Sequence, residues 1–254
     1  MSGFDEKHPR GAQGRSREKA RSEGGRELDL SAHSEEFVDL LESAARLQEL
    51  VPDTVMVGGS AAAIYAQHRF STDHDHVMAM LEARYDMVLE ALDASDNWVA
   101  SFRSTPPEMI PGMEAGFQVG IRQLRRARPL ETTTVRLPSG AELVIPTEPE
   151  ILRIKAYLIV NRNQARDYLD TAALADHIGI DEACQVLRGI DGYYGEMSGS
   201  ESAVSTVLAE RLYSCAPRDH KAIATLPRFK GLGARWADWG NVKAVCRELA
   251  KGML

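Results

Sequence analysis

A chain of 254 residues with 44% apolar and 26% charged content has the make-up of a globular protein long enough to bury a sizeable core. Its net charge of −7 gives nucleic acid no global attraction, so any such contact must come from a local basic patch. Cys184, Cys215 and Cys246 are odd in number and widely spaced, which fits neither a disulfide framework nor a zinc site, and no apolar run approaches the roughly 18 residues that span a bilayer.

Residues 1–31 are rich in Gly, Ser, Arg, Lys and Glu, a composition that cannot offset the entropy of ordering, so a disordered tail is expected. This polar start has no hydrophobic region of the kind a secretory signal needs, and a cytoplasmic location is expected. Residues 35–51 place Phe37, Val38, Leu41, Ala44 and Ala45 along one helical face, interrupted by Gln48 and opened by Ser34 as N-cap. Val55, Met56 and Val57 then form a short strand. Gly58-Gly59-Ser60 breaks it, and residues 61–65 are helix formers with Ser60 as a candidate N-cap. A second strand carries Asp73-His74-Asp75-His76, and residues 81–93 return to a helical pattern through Tyr85, Val88, Leu89 and Leu92.

Residues 98–102 and 115–124 read as strands separated by a proline-rich loop at Pro106, Pro107 and Pro111. Residues 132–137 and 141–145 read as a hairpin across Pro138-Ser139-Gly140. Thr147-Glu148-Pro149-Glu150 has the form of a capping box with proline in the first turn, and from there the pattern is helical, at about 148–161, 165–177, 181–189, 201–215, 218–225 and 235–251. A mixed α/β half, 32–146, is thus followed by a helical half, 147–254.

The chemistry concentrates in residues 55–80. A strand-to-helix turn built on Gly58 and Gly59 points bare backbone N–H groups outward, which suits a phosphate. Side chains alternate along a strand, so Asp73 and Asp75 share one face and His74 and His76 the other. Paired carboxylates repel each other, and a divalent cation such as Mg²⁺, completed by substrate phosphates, relieves that penalty. The order and spacing of these parts resemble the nucleotidyltransferase superfamily, in which Gly-Ser on such a turn is followed about a dozen residues later by Asp-x-Asp. The run Arg69-Phe70-Ser71-Thr72-Asp73-His74-Asp75 is most similar to AbiEii-type nucleotidyltransferase toxins.

A second informative stretch is 149–178. Lys155 lies on a helix face otherwise made by Ile151, Leu152, Ile154, Leu158 and Ile159, where a lysine must snorkel out or meet an anion. Arg166-Asp167-Tyr168-Leu169-Asp170 opens the next helix with two acids on one face. The AbiEii resemblance, which covers roughly 50–180, implies that Lys155 contacts nucleotide phosphate and that Asp167, or Asp170, completes the site. It implies the nucleotidyltransferase α+β fold with a mixed sheet and a following helical bundle. It further implies Mg²⁺ on Asp73 and Asp75, and a nucleoside triphosphate gripped by Gly58, Gly59, Ser60 and Arg69. The activity implied is transfer of a nucleoside monophosphate to an acceptor hydroxyl, with tRNA as acceptor and a cognate antitoxin as partner. A small-molecule or protein acceptor, or a nucleotide-binding module without turnover, are the alternatives.

Two departures from the pattern stand out. The strand where a third metal carboxylate is expected has Gly120 near that place, with Glu131 or Glu142 as the candidates to substitute. His74 stands where an aliphatic residue is usual; two histidines at i, i+2 can bind a transition metal, but no further histidine has matching spacing, and packed or solvated side chains are expected. Arg122, Arg125, Arg126 and Arg128 form the densest basic run, read either as a solvated strand end or as a patch that tracks RNA phosphates. The run from Arg228 to Trp236 mixes aromatic and basic groups and reads as helix-entry packing.

Overall fold

The computed structural model describes residues 26–27, 30, 33–101, 106–197 and 202–254. Most of the expected disordered tail lies outside the described residues. Its described part differs: β1 (Arg26–Glu27) pairs in parallel with a later strand, and Leu30 is buried. The tail was read as too polar to order, but two backbone residues can join a ladder whatever their side chains.

Helix α1 (Glu35–Leu50) begins at Ser34, whose Oγ accepts from the Phe37 N–H at 3.3 Å. Gln48, which interrupts its apolar row, exchanges two hydrogen bonds with the Val144 peptide and ties the helix to β8 (Glu142–Pro146). The strand β2 (Val55–Val57) runs straight into α2 (Gly58–Ala66), β3 (Asp73–Met78) follows, and α3 (Leu81–Asp93) leads to β4 (Trp98–Ala100). The proline-rich loop expected between two strands is instead partly a strand, β5 (Met109–Glu114), joined by a two-residue turn to β6 (Phe117–Gln123). Pro111 is tolerated in it because that residue faces the end of β4, where its carbonyl accepts from Ser101 and no N–H is required for pairing with β6.

The five strands order as β2-β3-β6-β5-β4, parallel between β3 and β6 and antiparallel elsewhere. Strand β7 (Thr132–Arg136) forms the expected hairpin with β8 and accepts β1 on its other side. One face of the five-stranded sheet is covered by α1 and α3, which bury Met78, Ile110, Val119 and Ile121 against Leu47, Val51, Val88 and Leu92. His74 and His76 belong to that covered face: both are fully buried, His74 Nδ1 lies 2.9 Å from His76 Nε2, and His74 Nε2 lies 3.3 Å from Ser43 Oγ. Burial holds the His74 imidazole down at about 4 and His76 well below its ordinary value, so both pack as neutral rings. The opposite face, with Asp73 and Asp75, stays open.

The helical half consists of α4 (Glu148–Asn161), α5 (Ala165–Ile178), α6 (Ile180–Arg188), the single turn α7 (Asp191–Tyr194) and α8 (Val204–Ser214). The stretch expected as helix at 218–225 is a 3-10 segment over His220–Arg228. The last expected helix divides at Asp238 into α9 (Ala234–Ala237) and α10 (Trp239–Met253), because Asp238 caps the second piece through Gly240 N–H. One apolar cluster runs from Phe37 and Leu40 through Ala62 and Leu143 to Ile151, Leu169 and Leu249, on both sides of residue 146. The capping box does not form: Thr147 makes no side-chain cap, and Glu150 turns inward to Arg153 at 2.6 Å.

Arg126 is the other partner of Glu150, an ion contact of 2.6 Å with both side chains almost wholly buried, and it donates to the carbonyls of Arg128 and Pro129. Within the basic run, read either as a solvated strand end or as a phosphate-tracking patch, Arg126 is thus a buried structural residue, while Arg122, Arg125 and Arg128 keep half or more of their side chains exposed. Arg126 pins the loop after β6 to α4, Arg125 reaches Glu108 at 2.5 Å, and Arg128 lies over the Tyr193 ring at 3.9 Å from its centroid. Removing Arg126 would leave the buried Glu150 with Arg153 alone and two carbonyls without their donor. Arg126→Ala should therefore lose about 3–5 kcal/mol of stability. Arg125→Ala, which opens only an exposed pair, should lose under about 1 kcal/mol. Urea denaturation of the two variants side by side checks this, and equal midpoints would count against a structural Arg126.

Candidate active site

The turn from β2 into α2 sets the site. Gly58 has φ +80, a region L side chains avoid, and a Cβ there would lie 3.2 Å from Asp75 Oδ2. Asp75 therefore presses against the bare backbone at the helix start. Beneath the next residue lies Arg69: a Cβ on Gly59 would collide with its guanidinium. Ser60 does not cap the helix. Its hydroxyl is buried and donates to the Asp73 carbonyl at 2.5 Å, locking α2 to β3.

Asp73 and Asp75 share the open face of β3, as the alternation requires. Asp73 is exposed and its Oδ1 accepts from Ser71 Oγ at 2.8 Å. Asp75 is more enclosed. Its carboxyl is pushed above the usual carboxylate range by burial; Arg122 pulls it back, Asp73 pushes the same way as burial, and Lys155 and Arg162 pull down more weakly. A cleft of about 520 Å³ opens beside the pair, lined among others by Gln118, Gly120, Arg122, Met109 and Met113. Among the described residues no group of three or more His, Cys, Asp or Glu is arranged to hold a metal. Glu131, one of the two substitutes considered for a third acid, is engaged with Arg153 and Tyr193, and Glu142 lies near Arg136.

Below this pair sits a buried ionic cluster. Asp170 on α5 is fully buried and receives Arg69 through both Nε (2.7 Å) and Nη2 (3.0 Å), Lys155 at 2.8 Å and His68 Nε2 at 2.7 Å. A carboxylate only accepts, so His68 Nε2 carries the proton in that contact. Burial alone would raise the Asp170 carboxyl, but Arg69, Lys155 and the His68 hydrogen bond hold it well below its ordinary range. Lys155 is only 3% exposed, so it neither snorkels nor stands free in the cleft: its anion is Asp170. Asp167, one turn earlier, is also fully buried, with both oxygens held by Arg162 at 2.7 and 2.8 Å.

The structure thus brings together Gly58, Gly59, Arg69, Asp73, Asp75, Lys155 and Asp170, and ties Asp167 to Arg162. Sequence reasoning missed His68, Ser71 as the anchor of Asp73, and Arg162. Ser71 belongs to the run that leads into Asp-x-Asp, but nothing local shows that its hydroxyl anchors Asp73, and nothing local distinguishes Arg162 from any arginine ending a helix.

No family model matches the chain. Its sequence is similar to part of much longer transport proteins. It is 30% identical over 228 residues to the mycolic acid-containing lipids exporter MmpL11 of Mycolicibacterium smegmatis, spanning 85% of this chain and 21% of that protein. It is 39% identical over 130 residues to the heme uptake protein MmpL11 of Mycobacterium tuberculosis, spanning 51% of this chain and 13% of that protein. The chain therefore spans about a fifth or less of the curated relatives it matches. In structure it is similar to MenT4, a nucleotidyltransferase toxin from Mycobacterium tuberculosis, with a TM-score of 0.56 and 15% identity over 85% of this chain and 82% of that one. The chain has the nucleotidyltransferase fold, a mixed sheet flanked by helices with further helices C-terminal to it. Among the described residues no helix is long and apolar enough to cross a membrane.

The buried cluster separates two substitutions. Lys155→Met leaves Asp170 held by Arg69 and His68 and should fold with little change in stability. Asp170→Asn leaves two buried cations without their counter-charge and should cost about 3–5 kcal/mol. Chemical denaturation compares them, and a severe loss for Lys155→Met would show that Arg69 alone does not satisfy Asp170.

Proposed function

We propose that this chain transfers a nucleoside monophosphate from a nucleoside triphosphate to an acceptor hydroxyl. The observation that carries the reading is a separation of charge across the Gly58 turn. Under the turn, two buried cations, Arg69 and Lys155, share one carboxylate, Asp170. Above it, two carboxylates share the cleft with one half-exposed arginine, Arg122. A floor with surplus positive charge and a rim with surplus negative charge fit a polyphosphate with its counter-cation. The N–H groups in the first turn of α2, which have no partner within the helix, add donors for phosphate oxygens.

The donor set fits Mg²⁺: two carboxylates on one strand face, with room for water and phosphate oxygens, satisfy an ion that usually takes one or two protein carboxylates. When bound at Asp73 and Asp75 it would supply charge neutralisation and polarise phosphate oxygens. Everything else falls to this chain's own groups. Gly58 and Gly59 let Asp75 and Arg69 approach the backbone more closely than any side chain would allow, Arg69 and Lys155 supply fixed positive charge, and Ser71 holds Asp73 in place. Positioned charge of this kind accounts for most of the rate in phosphoryl-type transfer. Asp167 has no exposure and both oxygens are occupied, so it is not placed to take a proton from an acceptor; its part is to hold Arg162.

The toxin reading, with tRNA as acceptor and a cognate antitoxin as partner, is supported by the AbiEii-like motifs and by a fold shared with a nucleotidyltransferase toxin. The second reading is that the same site binds nucleotide without turnover, in a chain similar to part of a transport protein.

Incubating the protein with each labelled nucleoside triphosphate and total tRNA tests both. Transfer of label should be seen, and Asp73→Asn or Asp75→Asn should lower it on the order of a thousandfold while the fold survives. Nucleotide binding without label transfer would instead remove tRNA as acceptor, leaving a small-molecule or protein acceptor and the reading without turnover.

A further inference from the structure

The β6 strand beside Asp75 departs from a site with three carboxylates in a specific way. Its register sets Gln118 opposite Asp73, Gly120 opposite Asp75 and Arg122 opposite Val77. These three alternate residues share the cleft face. The position across from Asp75, where a third acid would stand, is closed: a Cβ on Gly120 would lie 2.9 Å from Asp75 Oδ1. Two residues on, Arg122 turns back toward the same oxygen, with Nε 3.8 Å from Oδ1 and about half its side chain exposed. The two oxygens of Asp75 therefore face different surroundings. Oδ2 faces the bare Gly58 turn, and Oδ1 faces Gly120 and Arg122.

We propose that Arg122 takes the place of a second divalent cation. The cleft holds one such ion, at Asp73 and Asp75, and the Arg122 guanidinium is the fixed positive charge beside Asp75 Oδ1. This rests on the nucleotidyl-transfer reading above. Two carboxylates offset by one guanidinium leave a single surplus negative charge, enough for one divalent ion beside a polyphosphate but not for two. A second ion would have to displace the guanidinium and manage with one carboxylate oxygen, since Gly120 provides none and no third acid converges there among the described residues. An arginine suits the place because its charge is permanent and its planar donors match phosphate oxygens. Its half-exposed side chain can turn from Asp75 to a phosphate oxygen without disturbing the core.

Two measurements test this, neither needing turnover. The first counts anomalous Mn²⁺ peaks at the cleft in crystals grown with a triphosphate analogue that cannot be cleaved between the α- and β-phosphorus. One peak is expected at the Asp73/Asp75 pair; two peaks, or none, would overturn the proposal. The second is calorimetric titration of Mn²⁺ without nucleotide. Removing a competing positive charge a few ångströms away should tighten Mn²⁺ binding about fivefold or more in Arg122→Gln, while Arg122→Lys stays near wild type. Unchanged affinity in Arg122→Gln would sink it. In the label-transfer assay, Arg122→Gln should fall about a hundredfold through kcat, and Arg122→Lys should recover part of it. If the wild type transfers no label but the single Mn²⁺ and the affinity shift are found, nucleotidyl transfer fails and the role of Arg122 beside the ion stands.

Discussion

One buried carboxylate holds the site together. Asp170 receives Arg69 and His68 from the loop before β3, and Lys155 from α4, while itself belonging to α5. Three separate pieces of chain meet at one charge from which water is excluded. Without it, two cations would sit in the interior unpaired, and such groups are excluded or neutralised before a fold can tolerate them. The position of the Gly58 turn follows from this contact. Arg69 lies directly beneath Gly59, so a side chain there would be blocked and the first turn of α2 must be glycine at this point. The helical half thereby acts on the sheet half at the site itself, as well as through the shared apolar core.

The same constraint explains why the sheet has two unlike faces. Alternation on β3 sends His74 and His76 under α1, where burial keeps them neutral, and sends Asp73 and Asp75 to the cleft. Ser43 and the paired imidazoles bond one another under the helix, leaving only His76 Nδ1 of this group without a partner. A slip of one residue in register would bury both aspartates and expose both histidines. The hydrogen bond from Ser60 to the Asp73 carbonyl fixes β3 against α2 at the residue where that choice is made.

How much of this was legible follows from how far each signal reaches along the chain. The strand-turn-helix at Val57 and Gly58 and the alternating Asp73 to His76 are local patterns, and both appear as read. Strand β5 is hidden because Pro111 argues against a strand unless one knows that its nitrogen, which carries no hydrogen, faces the end of β4 and not the ladder with β6. The ion pairs inside the arginine run are illegible for a different reason. Arg125 and Arg126 find their carboxylates at Glu108 and Glu150, residues that only the folded chain brings near. Likewise Asp167 and Asp170 look equivalent on a helix face, and only the partners Arg162 and Lys155 distinguish them.

The ionic cluster also bears on whether this fold is retained for structure alone. Buried ion pairs recover their desolvation cost only with full hydrogen bonding, and apolar side chains of similar volume commonly stabilise as much or more. A fold that needed only to pack α2 against α4 and α5 would have no use for Arg69, Lys155, His68 and Asp170 together. Surface charges explain nothing here, since Lys155 and Asp170 are almost entirely out of water. Nor does the cluster balance itself, having two permanent or near-permanent cations to one carboxylate. What the arrangement provides is positive charge already dehydrated and immobile, a few atoms beneath an open glycine turn. Such charge need not reorganise when an anion arrives, and that is its advantage over a flexible surface lysine. The polar cost makes sense if that charge also serves an anionic ligand, beside a turn where Gly58 and Gly59 let Asp75 and Arg69 come against the backbone.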